Sequence, residues 1–177
     1  MQLLISDANI LIDLEEGQLI KHMFQLPYVF STPDILFYEE LSDAHAYLLD
    51  LGLGLNQWDG AQMMEVARRA ERLSLQYRGP SRNDLLALIL AIEKSCPLLT
   101  GGRVLKKAAE SESVVVHGTL WIVAIMVREG IISLEDARKA FERMKAGGRR
   151  LPWELAENVL KSFDAGVLKG GYPSLPA

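Results

Sequence analysis

Apolar and polar positions along the first two thirds of the chain follow two alternating periods. Short apolar runs are separated by longer segments in which apolar residues recur at the helical spacing of three and four. The short runs predict strands at residues 3–5, 28–30, 53–55, 97–100 and 114–116. The longer segments predict helices at residues 9–17, 18–25, 33–50, 60–77, 81–94 and from 103 onward. This alternation is typical of β-α units around a parallel sheet.

Beyond Gly118 the periodicity is helical throughout. It predicts helices at residues 120–128, 134–145 and 152–163, with Gly147-Gly148 between the last two. We therefore predict one α/β domain over residues 1–128, a C-terminal helical extension packed on it at residues 129–165, and a flexible tail at residues 166–177.

Composition matches an ordinary soluble globular protein. The 177 residues are 49% hydrophobic and 24% charged, which excludes a disordered, collagen-like or disulfide-rich chain. The net charge of −4 argues against a polyanionic partner only until it is resolved along the chain. Residues 1–65 carry one lysine and eleven acids, whereas residues 66–107 carry nine basic residues and three acids. Such asymmetry indicates where a cation or a polyanion binds.

Membrane and secretory signals are not found in the sequence. The longest uncharged apolar run, residues 113–127, has 15 residues, short of the roughly 20 that a bilayer span requires. Asp7 interrupts the place where a signal peptide would be apolar, so we expect a cytoplasmic protein without membrane contact. Cys96 is the single cysteine, which excludes an internal disulfide and a cysteine-based zinc site. The histidines lack metal-ligand spacing, and we expect each of them, His117 included, at a surface or edge position.

Asp7 directly follows the first predicted strand, and ligands of parallel α/β sheets bind at the carboxyl ends of strands. An Asp in front of a helix is also a common N-cap, which by itself explains the residue without any function. Asp13 lies further along the same helix, beside Glu15 and Glu16, and we expect it on the surface.

Two adjacent glutamates lie in the predicted helix at residues 33–50. The helical period gives this helix a buried stripe formed by Phe37, Leu41, Ala44, Leu48 and Leu51. Glu40 falls about 60° from the centre of the stripe, at its border, while Glu39 falls on the far side, in solvent. An uncompensated carboxylate at a buried border is costly, so Glu40 reaches solvent, pairs with a base or binds a ligand.

Asp84 precedes the most apolar helix of the chain, residues 85–92. Because that helix is apolar on all sides, it is predicted to be buried. The pattern Ser81-x-x-Asp84 fits a capping box, which accounts for Asp84 without any function. Even as a cap, Asp84 brings a carboxylate to the N-terminal edge of a buried helix.

Asp7, Glu40 and Asp84 come from three β-α units whose ends converge in a parallel sheet. Ionised carboxylates close together repel one another unless a cation compensates them. Oxygen-only ligands select a hard ion, Mg²⁺ or Mn²⁺, which clamps a phosphodiester and activates water. Arg78 and Arg82 flank the turn before Asp84, where they are placed to contact phosphates near such an ion.

Four segments, in this order, resemble the motifs of PIN-domain nucleases: residues 5–12 (ISDANILI), residues 33–41 with Glu40 before a leucine, residues 81–84 before an Ala/Leu-rich helix, and residues 98–101 (LLTG). The resemblance covers residues 2–117, and the later helices resemble those of a prokaryotic subgroup with an extended C-terminus. It implies a three-layer α/β/α fold with a central, mostly parallel sheet.

The same resemblance implies a metal-dependent ribonuclease, often the VapC-like toxin of a toxin–antitoxin pair. By residue, it implies that Asp7, Glu40 and Asp84 are the catalytic and metal-binding acids. Asn9 and Thr100 would contact these acids rather than the metal ion itself. The implied partners are an RNA substrate, a small antitoxin protein and a second copy of the chain in a homodimer.

Gly102 departs from the family pattern, which commonly has a fourth acid two residues after the threonine. Glycine offers no side-chain ligand, so a second metal ion would be held poorly. Arg103 follows directly and, like Arg78 and Arg82, is predicted to bind RNA phosphates. The alternative is a catalytically degenerate PIN module that binds RNA or a protein partner. A phosphatase is a further alternative, but it needs a second acid two residues after the nucleophilic Asp7, where this chain has Asn9.

Overall fold

The computed structural model describes residues 1–166. Its strands are β1 Gln2–Ser6, β2 Tyr28–Pro33, β3 Gly54–Asn56, β4 Leu98–Leu99 and β5 Val116–His117. Its α-helices are α1 Ala8–Glu16, α2 Ile20–Met23, α3 Asp34–Leu36, α4 Ser42–His45, α5 Gly60–Gln76, α6 Arg82–Glu93, α7 Arg103–Ser111, α8 Thr119–Arg128, α9 Leu134–Ala146 and α10 Trp153–Asp164. A π-helical turn at Phe37–Leu41 and a 3-10 turn at Ala46–Leu48 also occur. The flexible tail predicted at residues 166–177 lies, apart from Gly166, outside the described residues.

The strands form one five-stranded sheet in the order β3-β2-β1-β4-β5. β1 is central and pairs in parallel with both neighbours, so that Ile5 lies opposite Ser31 of β2 and Leu98 of β4. β2 pairs in parallel with β3. The predicted α/β class with a central parallel sheet is thus confirmed, and it is consistent with a three-layer α/β/α PIN-like fold. Because parallel strands end at the same edge, the residues that follow β1 and β4 lie side by side.

Contacts divide the described chain into two compact units. The first unit comprises Met1–Asn9 with Pro27–Val116, and the second comprises Ile10–Leu26 with the described residues from His117 onward. The predicted division into residues 1–128 and 129–165 is not tested by these units and stays a prediction.

Helix α6 is the centre of the core of the first unit. It packs against β1 and β2, and α5 packs against it in turn. Residues 85–91 are each at most 1% exposed, which confirms the prediction of a buried helix from its uniformly apolar sequence. The helix that carries Asp84 in its first turn is therefore held in place by packing against the sheet.

The helix predicted at residues 33–50 is wrong as a continuous element. It is broken into α3, the π-helical turn, α4 and the 3-10 turn. The wider π-helical turn inserts one residue and rotates everything after it relative to a regular helix. Ala44, predicted to be buried, is exposed, and Glu40, within the turn itself, is exposed rather than at a buried border.

The second unit is helical, with α8 packed against α2, α9 and α10. The prediction that Asp13 lies on the surface is wrong, because its carboxylate is held inside this unit and Asp13 is only 3% exposed. Oδ2 of Asp13 accepts a hydrogen bond from Thr119 Oγ1 at 2.7 Å, and Oδ1 accepts one from Arg149 Nε at 2.5 Å. Burial of this carboxylate is offset by an ion pair and a hydroxyl donor.

Across residues 1–166, none of the helices combines the length and apolarity needed to cross a lipid bilayer.

Candidate active site

Asp7 is the first residue beyond β1, and it is 1% exposed. Its backbone N–H donates to the carbonyl oxygen of Leu99 at 3.0 Å, which extends the pairing of β1 with β4. The hydroxyl of Thr100 donates to Oδ2 of Asp7 at 2.5 Å and accepts from the backbone N–H of Gly102 at 3.0 Å. The register of two adjacent strands thus brings Asp7 and Thr100 together. Asn9 lies exposed in the first turn of α1.

Asp84 lies in the first turn of α6 and forms the predicted capping box. Its Oδ2 accepts from the backbone N–H of Ser81 at 2.8 Å, while its own N–H donates to Ser81 Oγ at 3.1 Å. The structural explanation of Asp84 is therefore confirmed. Its Oδ1 accepts no hydrogen bond within residues 1–166, and the residue is half-buried, so that one carboxylate oxygen stays uncommitted.

Glu39 and Glu40 both contact the residue before Asp84. Nδ2 of Asn83 donates to Oε1 of Glu40 at 2.7 Å and to Oε2 of Glu39 at 3.0 Å. Arg82 forms an ion pair with the other oxygen of Glu39. The hydrogen bond from Arg82, assisted by that from Asn83, holds the pKa of the Glu39 carboxyl below its ordinary value. The π-helical turn and the start of α6 are joined by this network.

Sequence reasoning missed Asn83 and the part that Glu39 plays. Glu39 was expected only to face solvent, and it is exposed, but it also holds Arg82 and Asn83. Asn83 is 7% exposed although it is polar. A signal was present, since Arg82, Asn83 and Asp84 are three consecutive polar residues at the start of an otherwise apolar helix.

The three arginines predicted to bind RNA all lie in the first unit and are exposed. Arg78 lies in the turn between α5 and α6, and Arg103 is the first residue of α7. Arg82 differs from them because Glu39 already neutralises its charge. A phosphate that binds Arg82 therefore has to compete with Glu39.

The chemistry of the donor set fits a hard divalent cation, because Asp7, Glu40 and Asp84 offer only carboxylate oxygens. Oε2 of Glu40, like Oδ1 of Asp84, has no hydrogen-bond partner in the described chain. Within residues 1–166, however, no three acidic, histidine or cysteine side chains are grouped closely enough to enclose a metal ion. The residues therefore supply suitable donors in a set that is not preassembled.

The position of the missing fourth acid is open to a side chain. A Cβ built on Gly102 would lie 3.4 Å from Thr100 Oγ1, an ordinary van der Waals contact, and the φ of Gly102 is −78°. Neither space nor backbone geometry requires glycine here. The absence of a carboxylate is a property of this sequence and not of its fold.

Comparison with known families decides the identity of the fold. A family model described as PIN domain matches residues 3–165. The chain belongs to the PIN-domain family. No curated protein and no solved structure matches the chain significantly.

Membership of the PIN-domain family confirms the family predicted from the four motifs. PIN domains are in general nucleases that use divalent metal ions, which supports an enzyme acting on nucleic acid. The match also extends through α8, α9 and α10, so the C-terminal helices belong to the region that the family shares.

Proposed function

We propose that the protein is a divalent-metal-dependent endoribonuclease in which Asp7, Glu40 and Asp84 are the catalytic, metal-binding acids. The observation that carries this proposal is the buried carboxylate of Asp7, fixed by backbone pairing at the end of the central strand and hydrogen-bonded by Thr100. A carboxylate removed from water is costly, and this one lies at the edge where α/β proteins bind ligands.

Glu40 and Asp84 supply the other two carboxylates in this proposal. Each has one oxygen held by a donor of the first unit, Asn83 Nδ2 for Glu40 and Ser81 N for Asp84, and one uncommitted oxygen. The held oxygen orients the carboxylate, and the other is available to a ligand. Glu40 is exposed on an irregular turn, where a ligand can reach it from solvent.

These donors suit Mg²⁺ or Mn²⁺, which when bound would stabilise negative charge on the phosphodiester and activate a water molecule. The chain's own acids would orient that water and accept its proton. Thr100 would hold the carboxylate of Asp7 in a fixed direction through the hydrogen bond from its hydroxyl.

Arg78, Arg82 and Arg103 would hold the phosphates of the substrate. They are exposed in the same unit as the three acids, within a segment of strongly positive local charge. Phosphate binding depends on local cations rather than on the net charge of the protein. In this proposal the acidic N-terminal third of the chain contributes metal ligands, and the basic middle binds the phosphates of the substrate.

The proposed biological setting is the toxin of a toxin–antitoxin pair, acting in the cytoplasm as a homodimer and neutralised by a small antitoxin protein. This part of the proposal is supported by the resemblance to VapC-like proteins.

A direct test uses one sequence prepared as single-stranded RNA and as DNA, each labelled at one end. Both are incubated with the metal-free protein and then with Mn²⁺, Mg²⁺ or Mn²⁺ plus excess EDTA. We expect internal cleavage of the RNA with metal, no cleavage with EDTA and intact DNA. Intact RNA in both metals, with folded protein, would contradict the proposal.

Gly102 favours a second candidate, a catalytically degenerate PIN module that binds RNA without cutting it. In this case the acids would be retained but the metal would be held too weakly for turnover. Fluorescence anisotropy of labelled RNA with and without Mn²⁺ separates the two candidates. The module predicts metal-independent binding with no shorter products, whereas the nuclease predicts that binding is strengthened by metal and followed by cleavage.

A further inference from the structure

Asn83 is a buried polar residue of the candidate active site, and only one of its two side-chain polar atoms has a hydrogen-bond partner in the described chain. It is 7% exposed, and its Nδ2 donates to Glu40 and Glu39 at 2.7 and 3.0 Å. Its Oδ1 is buried and accepts no hydrogen bond within residues 1–166. Buried carbonyl oxygens are normally paired, and an unpaired one costs the free energy of its lost hydration.

Turning the amide over does not remove this cost. Exchanging the two atoms would point Oδ1 at the carboxylates of Glu39 and Glu40, which are acceptors only, and would deprive both of their donor. The orientation is therefore fixed by two carboxylates, and the oxygen is left to a donor that does not come from the described chain.

The residues around Asn83 indicate which donor fits its Oδ1. Glu39, Glu40 and the neighbouring Asp84 are all acceptors, and the nearby cation Arg82 is engaged by Glu39. A ribose hydroxyl would donate a hydrogen bond to Oδ1 but would not compensate the negative charge of the carboxylates. A hydrated divalent cation does both, because it carries positive charge and its bound waters are strong donors.

We propose that Asn83 is a positioning residue of the metal site: its Nδ2 orients Glu40, and its Oδ1 accepts a hydrogen bond from a water molecule bound to the divalent cation. This inference rests on the proposed function, because it assumes that the cation binds beside Glu40. It adds a residue of the third motif, residues 81–84, to which the resemblance assigned no role.

The test is titration of MnCl₂ into metal-free protein by isothermal calorimetry, with no RNA present. Asn83→Leu is nearly isosteric and removes both the donor and the acceptor, and it should weaken Mn²⁺ binding by about tenfold or more. Asn83→Asp loses the Nδ2 donor but keeps an acceptor oxygen and adds a negative charge, so it should bind Mn²⁺ more tightly than Asn83→Leu. Asn158→Leu, the same change at an exposed position of α10, is the matched control and should leave binding unchanged.

Thermal unfolding gives a second readout that does not depend on activity. Without metal, Asn83→Asp places a third carboxylate against Glu39 and Glu40, so its Tm should fall and Mn²⁺ should raise it by more than it raises that of the wild type. Should Asn83→Leu fail to fold, Asn83→Ala replaces it in the titration.

The inference and the proposed function fail in different ways. Wild-type Mn²⁺ affinity in Asn83→Leu, or an equal loss in the Leu and Asp variants, overturns the assignment of Oδ1 while leaving the nuclease proposal intact. Mn²⁺ binding that depends on Asn83, without any RNA cleavage, contradicts the nuclease and supports the site. No Mn²⁺ binding by the wild type at millimolar concentration overturns both.

Discussion

The hydroxyl of Thr100 donates a hydrogen bond to the buried carboxylate of Asp7, with 2.5 Å between Oγ1 and Oδ2. Through its second bond, from the N–H of Gly102, the same hydroxyl ties the start of α7 to the end of β1. The carboxylate on which the proposed chemistry depends is therefore oriented by a residue of the neighbouring strand.

Thr100→Val should reduce both stability and activity, because it keeps the shape of the side chain and removes its hydroxyl. Loss of a hydrogen bond to a buried charged group costs about 2 kcal/mol of unfolding free energy, measured by urea denaturation. Cleavage should fall by about tenfold or more, as for other residues that orient a metal ligand. Thr100→Ser, which keeps the hydroxyl, should stay close to the wild type. A loss in Thr100→Ser as large as that in Thr100→Val would contradict the role of the hydrogen bond, because serine keeps the hydroxyl.

Gly102→Asp should restore the fourth acid of the family pattern. The site has room for a Cβ and a φ that any residue adopts, so the unfolding free energy should change by only a few tenths of a kcal/mol. Adding a charged ligand should tighten Mn²⁺ binding by about tenfold, measured by calorimetry. Gly102→Asn is the uncharged control. If Asn tightens binding as much as Asp, the effect comes from the backbone and not from the carboxylate.

Asp13→Asn should destabilise the protein without removing the active-site acids. The substitution leaves the guanidinium of Arg149 facing a neutral side chain in a site where Asp13 is almost fully buried. Breaking a buried ion pair costs about 3 kcal/mol, measured as a shift of the denaturant midpoint. Asp50→Asn, at an exposed position, is the matched control and should change stability by less than about 0.5 kcal/mol.

His117 should make stability depend on pH. Its ring is half-buried and stacked on Trp121, with centroids 3.9 Å apart, and burial lowers its pKa from the ordinary value of 6.5. Below pH 6.5 the unfolded state therefore binds a proton more readily than the folded state, so stability decreases as the pH falls from 6.5 through the lower folded pKa.

The comparison that isolates this effect is between the wild type and His117→Phe, which keeps the aromatic stack and removes the titrating group. Urea denaturation between pH 7.5 and pH 5 should give a steeper loss of stability for the wild type. Parallel pH profiles for the two proteins would show that other groups carry the acid sensitivity.

Much of the fold could be predicted because its elements differ in hydrophobic period. Helix α6 was predicted at residues 81–94 and is observed at Arg82–Glu93, since an apolar helix behind a capping box is an unambiguous local pattern. A supporting role of Thr100 beside Asp7 was implied only by the family resemblance, and the structure gives its physical reason, because residues that end adjacent parallel strands meet at one edge.

The remaining differences come from interactions that periodicity does not record. The π-helical turn at Phe37–Leu41 changes the phase of a helix without changing its composition, so the surface position of Glu40 was missed. The ion pair of Asp13 with Arg149 joins residues 136 positions apart in the chain. Asn83 was missed because a polar residue in the first turn of a helix is ordinarily solvated.

The central claim is that the carboxylate of Asp7 performs metal-dependent cleavage of RNA, and Asp7→Asn tests it most directly. The measurement is the initial rate of cleavage of end-labelled RNA in Mn²⁺, with Asp50→Asn as the matched control and EDTA as the blank. We predict that Asp7→Asn folds, as judged by circular dichroism, and loses cleavage by about a hundredfold or more, because it lacks a charged metal ligand. Asp50→Asn should cleave like the wild type. Cleavage by Asp7→Asn at the wild-type rate would contradict the account.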